Sequence, residues 1–198
     1  MTHPPTQPLP RLRIIIATTR PGRVGPYIGG WVADSARATG RFTVEITDLG
    51  ELGLPLFDEP EHPVHSRYTR DHTKAWSEQI RGSDAIVFVF PEYNHGAPGS
   101  LKNAIDFLSA EWAYKPVSMV TYGGASGGVR AAVGLLPTLT TLKMIAVAGS
   151  VTISGVASLM TGEGDERTFH PSELHRSMLD RVLNELARLA PLTAALRP

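Results

Sequence analysis

The chain has 198 residues, which is enough for one α/β domain with a sizeable core. Its 19 basic and 19 acidic side chains balance, so there is no electrostatic case for binding nucleic acid or an anionic membrane surface. It has no cysteine, no apolar run of membrane-spanning length and no secretory signal at its start, which excludes disulfides and thiol catalysis and makes the cytoplasm the expected compartment.

The chain begins with a proline-rich stretch over residues 1–10, which we expect to be a disordered leader before a single domain over residues 11–198. Five later segments have the apolar, β-branched composition of strands. These predicted strands cover residues 12–18, 42–46, 85–90, 117–121 and 144–148. The second alternates apolar with polar residues, as an edge strand does, and the third is entirely apolar, which favours a central position.

Apolar residues at helical spacing follow each predicted strand. The helical groups are Ile28, Trp31 and Val32; Trp76 and Ile80; Leu101, Ala104, Ile105 and Leu108; Val129, Ala132, Val133 and Leu136; and a last helix from Leu174 to Leu186, closed by Pro191. This alternation predicts a parallel sheet with helices on both faces and right-handed crossovers. Residues 49–71 and 158–171 are expected to be long loops, the second of them mobile.

In an open parallel sheet, ligands bind outside the carboxyl ends of the strands. The loop after the first strand, residues 17–27, joins that strand to a helix and so presents free amides at a helix N-terminus. Thr18 adds a hydroxyl, Arg20 a planar guanidinium, and Gly22 and Gly25 allow close approach of a ligand. These residues outline a phosphate site, although a glycine-rich turn with a surface arginine explains them equally well.

Two further loops belong to the same edge. After the third strand, Asn94 and the main chain around Glu92 offer hydrogen-bonding groups to a heteroaromatic ring edge, and Tyr93 offers an apolar wall. After the fourth strand, Gly123 and Gly124 leave room for a flat ligand against the main chain. Each loop alone is explained as an ordinary turn. Together the three describe a mononucleotide-like ligand with a planar head, whose identity these residues leave open.

The segment from Pro91 to Asp106, which reads P-E-Y-N-x-x-x-P-G-x-L-K-N-A-I-D, resembles the signature of the NADPH-dependent FMN reductase family. The resemblance extends to Leu54-Pro-Leu-Phe57 and to the glycine pair Gly123-Gly124. It implies a flavodoxin-like, three-layer α/β/α fold with a five-stranded parallel sheet in the order 2-1-3-4-5. It also implies FMN as cofactor and NADPH or NADH as co-substrate.

The resemblance assigns candidate site residues. Thr18 and Arg20 take the positions that hold the FMN phosphate in the family. Val24, Gly25 and Pro26 stand where the family often has a further serine, so that contact is expected from main-chain amides. The residues expected around the flavin ring are Pro91, Glu92, Tyr93 and Asn94 on one side and Tyr122, Gly123 and Gly124 on the other.

The family's chemistry implies ping-pong hydride transfer from NAD(P)H to FMN and then to a quinone, free flavin or similar acceptor, in a homodimer or homotetramer. Because the flavin carries this chemistry, no side chain is expected to act as acid or base, His95 included. No metal site is expected at His62, His65 and His72, because their spacing fits no zinc pattern.

Three alternatives stay open: a flavodoxin-type electron carrier, a flavin-binding redox sensor with little NAD(P)H turnover, and an FMN-free module for another phosphorylated ligand. Electron carriers of this type are usually strongly acidic, and the balanced charge argues against that reading. Trp112 and Tyr114 follow the motif helix in a short loop, where we expect exposed aromatics that serve a subunit contact or an acceptor pocket.

Overall fold

Short, strongly apolar strands form the centre of the molecule. The structure, a computed structural model, describes residues 8–198, so most of the predicted leader lies outside the described residues. The strands of the main sheet are β1 (Arg11–Ile16), β2 (Thr43–Asp48), β3 (Ala85–Pro91), β4 (Pro116–Tyr122), β5 (Ile145–Ala146) and β6 (Val151–Ile153). All are parallel, in the order β2-β1-β3-β4-β5, which confirms the predicted fold.

Helices cover both faces of this sheet. They are α1 (Gly25–Ala38), α2 (Leu49–Leu52), α3 (Asp71–Arg81), α4 (Gly99–Asp106), α5 (Val129–Thr141) and α6 (Glu173–Thr193). Side chains alternate along β3, so that Phe88 packs into the core under α3, α4 and α5, whereas Val87 and Val89 pack under α1 and α6. None of the helices formed by residues 8–198 combines the length and hydropathy that a bilayer crossing requires.

The fifth strand differs from the prediction of one continuous strand over residues 144–148. Pro116 of β4 pairs with Ile145, but Val120 pairs with Val151, so the neighbouring chain carries two additional residues between β5 and β6. Gly149 lies in this interruption with a φ of 102°, a conformation that glycine adopts most readily. The apolar run predicted a strand correctly but gave no sign that it would split.

Two helices also differ from the prediction. The core-facing residues of α5 are Ala131, Ala132, Leu135 and Leu139, whereas Val129, Val133 and Leu136 are exposed. Apolar residues thus lie on two faces of this helix, and the periodicity selected a face that is largely exposed. The last helix, α6, continues through Pro191 to Thr193, although Pro191 cannot donate a hydrogen bond to the carbonyl of Ala187, so the proline does not close this helix as predicted.

The regions expected to be exposed or irregular are more ordered than predicted. Trp112 is fully buried, with its indole nitrogen donating to Ile105 O at 3.0 Å, so the expectation of an exposed aromatic at this position is wrong. Within residues 158–171, the strands β7 (Met160–Thr161) and β8 (Thr168–Phe169) form a small antiparallel hairpin. We refer to residues 156–170, which include this hairpin, as the strap.

Candidate functional site

A cavity of about 290 Å³ lies at the carboxyl ends of β1, β3 and β4. Its lining combines predicted and unpredicted residues: Thr18, Arg20, Gly22, Arg23, Val24, Pro91, Glu92, Tyr93, Tyr122, Gly123, Val156, Ala157, Met160 and Arg167. A larger cavity of about 550 Å³ lies beside α4 and α5, away from the first loop. We place the site in the smaller one, because all three candidate loops meet there at the switch point of the sheet.

The first loop carries main-chain donors that the described part of the chain does not use. The amides of residues 18–25, apart from Pro21, and that of Tyr27 have no hydrogen-bond acceptor among residues 8–198. Helix α1 begins there without a side-chain cap and without an acidic residue in its first turn. Unpaired amides and the positive end of the helix dipole together favour an anion.

The first loop carries two arginines, of which only one is paired with a carboxylate. Arg23 donates to both carboxylate oxygens of Asp48, at 2.7 and 2.6 Å, so its charge is already compensated. Arg20 is exposed and forms no ion pair with the residues that the structure describes. Thr18 is almost fully buried, with its Oγ1 3.5 Å from the Tyr122 hydroxyl. Arg20 is therefore the residue of this loop whose charge is available to a ligand.

The segment from Val24 to Pro26 serves the start of α1. Val24 lines the cavity, but Gly25 and Pro26 do not. A Cβ at Gly25 would overlap Thr18 Oγ1 and press on the Tyr122 hydroxyl, so this glycine is required for the packing of α1 against β1 and β4. Pro26 lies in the first turn of α1, where its missing amide costs no helical hydrogen bond.

The Glu92 side chain points towards α5. Its Oε1 accepts from Arg130 Nε at 2.7 Å, and its Oε2 accepts from the Arg130 main-chain amide at 3.2 Å. The hydrogen bonds from Arg130 hold the pKa of Glu92 below its usual value. Since this carboxylate is already occupied and the Glu92 amide donates to Tyr122 O at 3.1 Å, the main-chain carbonyl is the group of Glu92 that is left for a ligand.

The next residues form a tight turn at the rim of the cavity. Tyr93 and Gly96 exchange two main-chain hydrogen bonds of 2.9 Å, and the residues between them, Asn94 and His95, have φ values of 49° and 70°. Positive φ at both central positions is typical of a type I′ turn. Tyr93 lines the cavity with 40% of its surface exposed, whereas the exposed Asn94 does not line it.

The third loop forms the opposite wall. Tyr122 is buried, and this burial raises the pKa of its hydroxyl, which stays protonated as a donor. Gly123 lines the cavity next to it. Gly124 does not line it. The Gly124 carbonyl accepts from the amide of Gly155 at 2.9 Å, which connects this loop to the residue before the strap.

Sequence reasoning missed Arg23 and the strap residues of the lining. The sequence could have indicated Arg23, because it lies in the same loop as Arg20. Val156, Ala157, Met160 and Arg167 belong to no recognisable motif, and Met160 and Arg167 fall in the loop 158–171 that is predicted to be mobile. The strap reaches the cavity through its packing on α1, which no local sequence pattern reveals.

The absence of a metal site at the three histidines stays a prediction. His62 Nδ1 accepts from the Val64 amide, and His72 Nε2 lies 2.9 Å from Asp58 Oδ1. No group of three potential ligands that could hold a metal ion was found within residues 8–198.

Comparisons with known proteins identify the family of the chain. Residues 10–158 match the model of the family described as NADPH-dependent FMN reductase. An NAD(P)H-dependent FMN reductase of Schizosaccharomyces pombe is 42% identical over 121 residues, which cover 60% of this chain and 60% of the relative. A quinone reductase of Pseudomonas putida is 35% identical over 137 residues, covering 66% of this chain and 71% of that protein.

Among solved structures, FerB, a flavoenzyme NAD(P)H:(acceptor) oxidoreductase from Paracoccus denitrificans, superposes with a TM-score of 0.72. The superposition covers 91% of this chain and 99% of FerB, at 18% sequence identity. At that identity the likeness establishes the shared fold.

Proposed function

Since the chain belongs to the NADPH-dependent FMN reductase family, we propose that it is an FMN-dependent NAD(P)H oxidoreductase that reduces a quinone, a free flavin or a similar small acceptor. The observation that carries this proposal is the first loop, where unpaired main-chain amides and the free Arg20 surround one end of a cavity at the switch point of the sheet. The quinone reductase relative supports this class of acceptor.

The residues present fit FMN. The terminal phosphate would be held by the amides of the first loop, by the Thr18 hydroxyl and by Arg20, which are all donors without a carboxylate in competition. The ring would be held by the main chain around Pro91 and Glu92 and by Tyr93, with Gly123 opposite. A cavity of about 290 Å³ is small for such a ligand, so part of the ligand would stay open to solvent.

This openness supports an alternating mechanism. FMN, when bound, supplies the hydride and electron transfer. The exposed Tyr93 and the turn that follows it border the open rim, where a nicotinamide and then an acceptor can use the same space. We therefore propose a ping-pong cycle in which the protein binds and orients the reactants and no side chain acts as an obligatory acid or base. The cytoplasmic location stays a prediction.

The first test uses the full chain reconstituted with FMN. Under anaerobic conditions NADPH is added while the visible absorbance of the flavin is followed, and a quinone is added afterwards. We expect the absorbance to bleach promptly and to return with the quinone, and initial rates to give parallel double-reciprocal lines. Free FMN with NADPH in the same buffer is the control for uncatalysed reduction.

The alternatives give different results. An electron carrier would bind FMN but bleach no faster than the control, and a module for another phosphorylated ligand would not bind FMN at all. Intersecting double-reciprocal lines would contradict the ping-pong order while leaving the oxidoreductase activity standing.

We also propose that the protein is a homodimer or homotetramer. Val129, Val133 and Leu136 form an exposed apolar row along α5, with exposed fractions of 45%, 61% and 37%. Clustered exposed apolar groups on a folded surface mark an interaction site. The neighbouring cavity of about 550 Å³, lined in part by Pro137 and Leu142, continues this surface.

Light scattering coupled to size-exclusion chromatography tests the assembly. We expect a mass of two or four chains for the wild type and a shift towards the single chain for Val133→Glu. Leu174→Glu, at an exposed apolar residue near the start of α6, is the control that should leave the mass unchanged. A wild-type mass of one chain would contradict the proposal.

A further inference from the structure

The strap is anchored on the helix that starts the proposed phosphate site. The Tyr27 hydroxyl donates to Gly164 O at 2.8 Å, and the Trp31 ring packs edge to face on Phe169 with ring centres 5.4 Å apart. The family match ends at residue 158, so nearly all of the strap lies beyond it. Of the strap residues that line the cavity, Met160 and Arg167 therefore lie outside the matched region.

Arg167 is the charged residue that the strap contributes to the cavity lining. Its Nη1 donates to Gly22 O in the first loop at 3.2 Å, which brings the guanidinium beside the unpaired amides of that loop. Among the side chains that the structure describes, no carboxylate lies within ion-pair distance of it. Arg23, on the same cavity, is by contrast held by Asp48.

The Arg167 Nε is buried and has no acceptor among the groups that the structure describes. Arg197 also has an unpaired Nε, but the rest of its guanidinium makes four hydrogen bonds to Asp84, Ala190 and Thr193. Arg167 makes a single one. A buried, unpaired donor of a charged group is costly unless a ligand completes it, and a guanidinium suits phosphate oxygens through paired hydrogen bonds.

We propose that Arg167, held in place by the strap, is a second arginine for the terminal phosphate of FMN and makes the protein discriminate FMN from riboflavin. This inference rests on the proposed function, since it takes FMN as the ligand of the cavity. Arg20 would approach the phosphate from the first loop and Arg167 from the strap. Partial exclusion of water by the strap strengthens the attraction between these charges and the phosphate.

The test compares two ligands that differ only in the phosphate. FMN and riboflavin are titrated into the flavin-free full chain, and binding is measured by quenching of flavin fluorescence. We expect Arg167→Ala to raise the Kd for FMN by about tenfold to hundredfold while changing the Kd for riboflavin by less than about threefold. Arg167→Lys should retain part of the preference, because the charge remains but the paired geometry is lost.

Two further variants serve as comparisons for the Kd values of Arg167→Ala. Arg20→Ala should reduce the preference in the same way, and Arg188→Ala, at an exposed arginine of α6, should leave both Kd values unchanged. The thermal midpoint of the flavin-free Arg167→Ala protein should stay close to that of the wild type. If Arg167→Ala unfolds, the Kd values for FMN and riboflavin are compared in Arg167→Lys and in Tyr27→Phe instead. Tyr27→Phe removes the hydrogen bond that anchors the strap.

One result would overturn this inference alone: a ratio of the two Kd values that is unchanged in Arg167→Ala. If both affinities fall by the same factor, the role of Arg167 is merely structural. Wild-type protein that binds neither flavin would overturn the proposed function and this inference with it. Wild-type protein that binds FMN and is reduced by NADPH, beside an Arg167→Ala variant of unchanged preference, would leave the proposed function standing.

Discussion

Helices α1 and α3 both begin at the carboxyl edge of the sheet, but only the N-terminus of α3 has a carboxylate of the chain beside it. At α3, the Glu59 carboxylate accepts from the amides of Thr69 and Arg70 at 2.8 and 2.9 Å and from the Thr69 hydroxyl at 3.0 Å. At α1, no carboxylate takes the corresponding place among the described residues. The same electrostatic preference for an anion is satisfied within the chain at α3 and left unsatisfied at α1.

Helix α5 supports this distinction. Its second residue, Arg130, donates its main-chain amide to Glu92, a carboxylate that comes from the loop after β3. Two helix starts at this edge thus receive an internal carboxylate, whereas α1 and α4 receive none among the described residues. Of these two, α1 lies against the cavity with Arg20 and Arg167. Unused amide donors together with nearby arginines therefore locate the ligand better than the mere presence of a helix N-terminus or of glycines.

The largest effect on stability is expected when the charge of the Glu59 carboxylate at the start of α3 is removed. Burial by itself would raise the pKa of Glu59, but the hydrogen bonds from Thr69 and Arg70 outweigh it and lower the pKa from 4.5 to about 2. Glu59→Gln keeps the shape but loses the charge and one acceptor. We expect it to lower the free energy of unfolding by about 2–3 kcal/mol at pH 7, as measured by urea denaturation.

The pH dependence gives a second check on Glu59. Because its pKa is lower in the folded state, the charged carboxylate stabilises the fold above pH 4.5, and this contribution is lost as the pH falls towards about 2. The difference between wild type and Glu59→Gln should shrink over that interval. Glu61→Gln, at an exposed glutamate of the same loop, is the control and should change stability by less than about 1 kcal/mol. An equal loss in both variants would contradict a special role for Glu59.

The sequence was sufficient to predict the sheet and the edge that carries the site. Apolar runs located the strands, because a strand covered on both faces must be apolar throughout, and the central motif located the loop after β3. Thr18 and Arg20 were identified from one loop joining a strand to a helix. In each case the residues that carry the signal are contiguous in the chain.

The partners of these residues could not be predicted, because they are distant in sequence. Glu59 reaches amides ten and eleven residues away, Glu92 reaches Arg130 across 38 residues, and Arg167 reaches Gly22 across 145. Without those contacts, the sequence does not reveal that the Glu92 carboxylate is paired, and it leaves Arg167 in a loop. Which charged groups are already paired is a tertiary property, and it decides which of them are free for a ligand.

A smaller effect on stability is expected when a carboxylate is introduced at the start of α1. Val24 precedes the first residue of α1 and lines the cavity, so Val24→Asp places a carboxylate where Glu59 lies relative to α3. Val24→Asn has nearly the same shape without the charge and is the matched control. Relative to the Asn variant, we expect the Asp variant to be more stable without flavin by about 0.3–1 kcal/mol at low ionic strength, through attraction to the helix N-terminus.

The same pair of variants should respond in the opposite sense to FMN. The new carboxylate repels the phosphate and competes for the amides and for Arg20, so the Asp variant should bind FMN at least tenfold more weakly than the Asn variant, whereas their riboflavin affinities should agree. Urea denaturation of the flavin-free proteins and fluorescence titration measure the two effects. If the Asp variant gained stability but kept the FMN affinity of the Asn variant, the start of α1 would attract an anion without being the place where the phosphate binds.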